Sequence, residues 1–274
     1  MSAKRQVRPI RSENFLQRHT VFTLDQFAAA LPLHSGRSTA RERVRYLAAR
    51  GRIQVLGRGV YATVPHDVRP GEYQPDAVLV ALAMRPDIVF SHHSALELHG
   101  AAHSIWSEVS GWTRGRRGTM QLGGVRLRFL SPPTFQRPGS AVDRAVVTAH
   151  RDGTPLRITS RERTLVECLR QQHLAGGLEE IFESAAGFAS LDLAALERLL
   201  VAFDQRLLWA ATGWFLERHE RTFHPTAGLL RRFESHRPRS PQYLPRLQRG
   251  GALISRWNLV VPRGLARGKE PDDP

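Results

Sequence analysis

The sequence predicts an α+β protein: an N-terminal winged helix-turn-helix followed by a mixed α/β domain whose C-terminal half is helical. Three observations carry this. Residues up to about 65 read as helix, helix, turn, helix and hairpin. Apolar residues alternate in short runs between 76 and 159. After Ser160 the apolar spacing changes to that of helices.

The first module is read in order. Asn14 to Arg18 suggests a short helix. Thr23-Leu24-Asp25-Gln26 opens a second helix with a capping box, ended by Pro32. A turn from Leu33 to Arg37 contains Gly36. Ser38 or Thr39 can then cap a third helix, with Thr39 and Glu42 spaced as a second capping box. Ala40, Val44, Leu47, Ala48 and Gly51 make its inward stripe, and Gly51 closes it. Ser38, Glu42, Arg45, Tyr46 and Ala49 face outward, flanked by Arg41 and Arg43. Two β-rich runs, Arg52 to Leu56 and Val60 to Thr63, flank Gly57-Arg58-Gly59, a tight hairpin with an arginine at its tip.

The expected organisation is therefore a winged helix-turn-helix over 1–65, a linker over 66–75 and a second domain over 76–262. That domain is strand-rich over 76–159 and helix-rich over 160–235. A disordered tail is expected over 263–274. Within the second domain, Ala77 to Met84 looks helical and Asp87 to Phe90 looks like a strand. Ser91 to Gly100 looks like a short capped helix. Met120 to Leu130 is the clearest hairpin: Val125, Leu127 and Phe129 alternate with Arg126 and Arg128, giving one buried and one basic face. Ala145 to Thr148 and Leu156 to Thr159 flank an Asp152-Gly153 turn. Leu196, Leu199, Leu200 and Phe203 form an amphipathic helical stripe, and Trp209 to Arg218 continues the helical half.

Charge points to the partner. The 274 residues carry a formal net charge of +15. Residues 1–70 hold 13 Lys+Arg against 4 Asp+Glu, a net +9, so a quarter of the chain carries most of the excess. Such a field favours a polyanion. The helix-turn-helix places its third helix in the major groove of double-stranded DNA. Ser38, Thr39, Arg41, Glu42, Arg43, Arg45 and Tyr46 on that helix, and Arg58 at the wing tip, are the candidate DNA contacts. A winged helix used for protein docking does not explain the local +9. Arg114, Arg116, Arg117, Arg126 and Arg128 form a second basic group, open to two readings: further DNA contacts or a grip on an acidic protein partner.

Other classes are set aside on residue type. Lysine occurs only as Lys4 and Lys269, and arginine supplies the other basic residues. A P-loop or protein-kinase site, each built around a lysine, is excluded. His92, His93 and His99 do not make a zinc site. His92 and His99 lie roughly 10 Å apart along a helix, whereas ligands must converge within about 2.1 Å of one ion. Capping and packing are their expected roles. Glu179, Glu180 and Glu183 are expected on a solvated helix face. Cys168, the only cysteine, is expected as a small buried hydrophobe. No catalytic residue, cofactor or metal is expected, so the protein reads as a binding protein and not an enzyme. Without an apolar run long enough to span a bilayer or a leader, a cytoplasmic protein is expected.

The order of several short motifs is also that of a known family. They are Gly57-Arg58-Gly59-Val60-Tyr61, Phe90-Ser91-His92-His93-Ser94-Ala95-Leu96-Glu97-Leu98-His99-Gly100 and Ile158-Thr159-Ser160-Arg161-Glu162-Arg163-Thr164-Leu165. Gly176-Gly177-Leu178-Glu179-Glu180 and Arg256-Trp257-Asn258-Leu259-Val260-Val261-Pro262 follow. From about Phe15 to Pro262 the chain resembles the AbiEi family of antitoxins, the regulatory half of type IV toxin–antitoxin operons. No single motif is specific; the order and spacing are. The resemblance implies a winged-helix transcriptional repressor of its own operon, acting at inverted repeats. It implies that 76–262 is an antitoxin domain that counteracts a nucleotidyltransferase-like toxin, in some members without a stable complex.

Overall fold

Three short helices and a small sheet form the N-terminal module of the computed structural model, which describes residues 11–31, 36–69, 71–135, 144–244 and 250–267. The elements are α1 (Arg11–Arg18), β1 (Val21–Thr23), α2 (Leu24–Ala30), α3 (Arg37–Ala49), β2 (Ile53–Gly57) and β3 (Val60–Thr63). The strands pair antiparallel in the order β1-β3-β2. The α2 capping box forms as expected: Gln26 N donates to Thr23 Oγ1 at 3.2 Å, and Thr23 N donates to Gln26 Oε1 at 2.7 Å. Residues 32–35, expected to end α2 and turn, lie outside the described residues.

The start of α3 differs from expectation. The helix begins at Arg37 with Gly36 as its N-cap, and no side chain caps it. Ser38 and Thr39 lie inside the first turn, exposed, so neither is a cap and no capping box forms. Starting earlier adds Arg37 to the helix and leaves the two hydroxyls facing outward. Its end is as expected. Gly51 has φ +66°, Gly51 N donates to Ala48 O at 2.9 Å, and Arg52 N donates to Leu47 O at 3.0 Å. That pair of bonds is a Schellman motif, which needs a residue at positive φ where glycine costs least. Ala40, Val44 and Leu47 are buried against Phe15, Phe22, Phe27 and Ile53. Burying Val44 and Leu47 stabilises by about 1.5–3 kcal/mol each.

The described part of the expected linker has turns and no helix or strand. The second sheet is built from β4 (Val89–Phe90), β5 (Glu108–Trp112), β6 (Gly118–Leu122), β7 (Val125–Leu130), β8 (Val146–Arg151) and β9 (Thr154–Thr159). Their order is β6-β7-β5-β4-β9-β8, with β5/β7 and β4/β9 parallel and the rest antiparallel. Strand β4 is shorter than the expected Asp87–Phe90, because Asp87 turns its carboxylate to Thr113 and Arg114. Strand β8 begins one residue later than expected, since Ala145 has φ +51°.

Helix α4 (Ala77–Met84) is capped by Asp76, whose carboxylate accepts from Val78 N and Leu79 N at 2.8 and 3.1 Å. It covers one face of the sheet together with the N-terminal hairpin. Leu56, Val60 and Ala62 share one apolar cluster with Val78, Val80, Leu122, Val125, Leu127 and Phe129. Contact is close: a Cβ on Gly123 would lie 2.5 Å from Leu56 Cδ2. Helices α5 (His93–Leu98) and α6 (Arg161–Arg170) cover the other face.

The chain then continues through α7 (Leu178–Ala186), α8 (Leu193–Phe203), α9 (Arg206–Arg218), α10 (Glu220–Phe223) and α11 (Ala227–Ser235). A small sheet follows, β10 (Gln242–Tyr243), β11 (Ala252–Ile254) and β12 (Leu259–Val261), in the order β10-β12-β11. Leu196, Leu199, Leu200 and Phe203 are buried, as their spacing requires. The tail does not begin at 263: Arg263–Arg267 forms α12. Leu265 is buried in the helical core and its carbonyl accepts from the Arg218 guanidinium, and that anchoring outweighs a polar composition. Residues 268–274 lie outside the described residues. Among the described residues no helix is long and apolar enough to cross a membrane.

A buried polar joint locks α6 to the sheet. Arg163 and Glu167, one turn apart on α6, are wholly buried and paired at 2.7 Å. Glu167 Oε2 accepts from Trp112 Nε1 on β5 at 2.9 Å, and Arg163 Nη1 donates to Arg144 O at 2.6 Å. Burial pushes the Glu167 carboxyl upward, while Arg163 and the Trp112 indole pull it back. Removing one partner strands a charge in the core. Arg163→Ala should therefore cost about 3–5 kcal/mol in urea unfolding. The pair replacement Arg163→Met with Glu167→Leu should cost less than the single change, because it leaves no stranded charge. A single-mutant loss well under 1 kcal/mol would show that the ion pair does not hold the joint.

Candidate nucleic-acid interface

The N-terminal basic residues divide by helical position. Arg37, Arg41 and Arg45 recur at four-residue spacing and line one side of α3, with Val44 and Ala48 beside them. That side faces the hairpin tip, where Arg58 and Gly59 form a two-residue turn with φ +53° and +75°. Both central residues at positive φ is the type I′ requirement, which folds the hairpin back tightly and leaves the Arg58 side chain exposed.

Between α3 and the hairpin lies an open groove of about 1030 Å³. Arg37, Arg41, Arg45 and Arg58 line it on the N-terminal side, with Val55, Val60 and Tyr61 of the hairpin. Ala83, Met84, Arg85 and Pro86, from the end of α4, close its far rim. Its acid, Asp25, is paired with Arg37 at 3.1 Å. No ion pair of Arg41, Arg45 or Arg58 occurs among the described residues, and an anion placed in the groove meets their field.

The remaining α3 candidates sit elsewhere on the same helix. Ser38, Thr39, Glu42 and Tyr46 are exposed on the outward face. The Arg50 guanidinium stacks over the Tyr46 ring at 4.6 Å, making a flat, cationic outer edge. Arg43 lies on the far flank and donates to Ser12 on α1 at 3.3 Å, turned from the groove. Arg37 and Arg85 are groove residues that the sequence reading did not include. Arg37 was discoverable from its spacing to Arg41 and Arg45. Arg85 comes from another part of the chain, and no local pattern marks it.

The second basic group separates into two surfaces. Arg114, Arg116 and Arg117 are exposed in the β5–β6 turn, next to Arg85, whose Nη2 donates to Arg116 O at 3.4 Å. Arg126 and Arg128 project from the sheet face opposite Val125, Leu127 and Phe129, away from α4 and the hairpin. Arg128 is half-buried and paired with Glu108 at 2.7 Å, so that face is less basic than its sequence suggests. One pattern of five arginines thus serves two faces.

His92 and His93 are buried, and His99 is partly buried. His92 is buried, with Nδ1 2.9 Å from Ser91 Oγ and Nε2 3.2 Å from Gln171 Oε1. Its backbone is strained, with φ +54°. His99 Nε2 lies 2.8 Å from Thr159 O. His93 stacks on Trp106 with ring centroids 4.6 Å apart, and its Nε2 lies 3.4 Å from Glu180. Glu180 therefore does not lie on a solvated face as expected. Its carboxylate accepts from Ser184 Oγ at 2.7 Å and Ser104 N at 3.1 Å, tying α7 to the loop after α5. Glu179 and Glu183 are exposed. Among the described residues no group of three or more His, Cys, Asp or Glu could hold a metal ion. Cys168 is buried, and burial pushes its thiol well up.

The crystal structure of the RV2827C protein from Mycobacterium tuberculosis is similar to this chain. The TM-score is 0.61 over 92% of this chain and 90% of that one, at 16% sequence identity. At that identity the likeness establishes a shared mixed α+β fold and nothing finer. No family model matches the chain, and no curated protein matches it.

His92 sets a pH dependence. Burial lowers its pKa from 6.5 to about 3 in the fold. In the unfolded chain it returns to its ordinary value, so acid protonates the unfolded chain first. Its contribution to stability is complete above about pH 6.5 and is lost progressively as pH falls toward about 3. The imidazole C–H resonances of His92 should not move as a sample passes from neutral to mildly acidic pH, while urea stability declines. A full titration of the folded His92 near its ordinary value would contradict the buried, neutral ring.

Proposed function

We propose that the protein is a sequence-specific double-stranded DNA-binding regulator whose N-terminal module acts as a winged helix-turn-helix. The observation that carries this reading is the groove between α3 and the hairpin tip, where Arg37, Arg41, Arg45 and Arg58 converge from two elements. In this reading α3 enters the major groove. Arg45, Glu42, Tyr46, Ser38 and Thr39 offer the mixed donors and acceptors that base edges require. Arg58 at the turn reaches the phosphates or the minor groove beside it, and Arg41 adds a second phosphate contact. An all-arginine set suits this task, since a guanidinium presents a planar fork to phosphate or to guanine.

The resemblance to AbiEi antitoxins extends the proposal: the chain represses its own operon at inverted repeats and counteracts a nucleotidyltransferase-like toxin. This part rests on the motif order alone. A second reading is a protein-interaction module, favoured by the exposed Arg126 on the far face of the sheet. An acidic partner there would leave the α3 groove unoccupied and its DNA affinity non-specific.

Fluorescence anisotropy with the duplex from upstream of the gene, against a scrambled duplex across a salt series, separates the readings. Tighter binding to the native duplex is expected. Arg45→Ala should cost about 1–3 kcal/mol on the native duplex and narrow the gap to the scrambled one. Arg58→Ala should weaken both duplexes alike and flatten the log–log salt slope by about 0.9. Equal affinity of the intact protein for both duplexes would remove sequence specificity from the proposal. Co-expression with the product of the adjacent gene tests the antitoxin role: growth arrest unrelieved by this chain would sink it.

A further inference from the structure

We propose that the second domain supplies part of the DNA-binding surface, with Arg116 and Arg117 of the β5–β6 turn gripping backbone phosphates beyond the α3 groove. The inference rests on the DNA-binding reading above.

The groove's far wall is already second-domain chain: Ala83 to Pro86. Arg85 stands where that wall meets the β5–β6 turn. Its Nη1 donates to Met84 O at 2.8 Å, its Nη2 reaches Arg116 O, and its guanidinium lies 5.1 Å from the Phe129 ring centroid. The arginine turn thus begins where the groove ends.

That turn is a built feature. The Asp87 carboxylate accepts from Thr113 Oγ1 at 2.9 Å and from Arg114 N at 2.7 Å. These bonds hold its carboxyl below the usual range against the opposing effect of burial. Gly115 N donates to Thr113 Oγ1 at 3.0 Å, and Arg117 Nη1 donates to Ser131 Oγ at 2.5 Å. Asp87 thus fixes the turn's backbone, and Arg116 and Arg117 stand exposed on it. The hairpin that carries Arg58 packs on this same sheet through Leu56, Leu122 and Gly123, so groove and turn cannot drift apart. A duplex, which carries a negative charge about every 1.7 Å along its axis, can meet both at once. Arg126 and Arg128, on the opposite face, take no part.

The test uses the full chain and a duplex long enough to pass the groove, in native and scrambled sequence, across a salt series. Arg116→Ala with Arg117→Ala should lower affinity for both duplexes on the order of tenfold and flatten the salt slope by about 1.8. Arg116→Lys with Arg117→Lys keeps the charge and should stay near the parent, which distinguishes lost contact from a disturbed turn. Arg126→Ala should bind as the parent does. The inference is overturned if the double alanine variant keeps parental affinity and slope while Arg58→Ala still weakens binding. If the intact chain binds neither duplex, the DNA-binding reading falls and takes this inference with it.

Discussion

The Arg163–Glu167–Trp112 joint is the constraint on which the layers depend. It ties the first helix of the helical half to a central strand, and through the Arg144 carbonyl to the chain entering β8. An ion pair without water is costly unless its remaining donors and acceptors are met. Here the indole N–H and a backbone carbonyl meet two of them, and Phe135 lies beside the guanidinium at 5.8 Å. Around it Ser94 Oγ accepts from Ser110 N, and the Thr159 and Thr164 hydroxyls bond to each other at 2.7 Å. The sheet is thus bound to its helices on this face by polar contacts with few alternative registers. On the other face apolar contacts bind it to α4 and the hairpin.

That division orders the molecule from interior to surface. The polar face fixes α5 and α6, and the apolar face receives Leu56, Val60 and Ala62 from the N-terminal module. The N-terminal module therefore leans on the sheet instead of hanging from a tether. Its helix α3 keeps its own small core, and its hairpin belongs to two cores at once. The groove exists because of this arrangement, since one wall belongs to each side.

Much of this was legible in the residues. The capping box at Thr23, helix α4, the β6–β7 hairpin and the stripe from Leu196 to Phe203 are local patterns, and the chain adopts them. Local reasoning failed where a distant partner decides. Glu180 turns inward to Ser104 and Ser184, and Leu265 pulls a polar tail into a helix. Strand β5 escaped because its run holds Glu108, Ser110 and Gly111, which suit a strand only when Arg128, Ser94 and Ile88 are already in place. The candidate site was half legible: its arginines on α3 and the hairpin could be named, but its Arg85 wall could not.

The groove's choice of cation has a consequence of its own. Every basic residue lining it is arginine, and the two lysines of the chain, Lys4 and Lys269, lie outside the described residues. A guanidinium stays protonated throughout the physiological range. Lysine acylation, which removes the charge of a basic side chain, therefore has no target among the residues that line the groove.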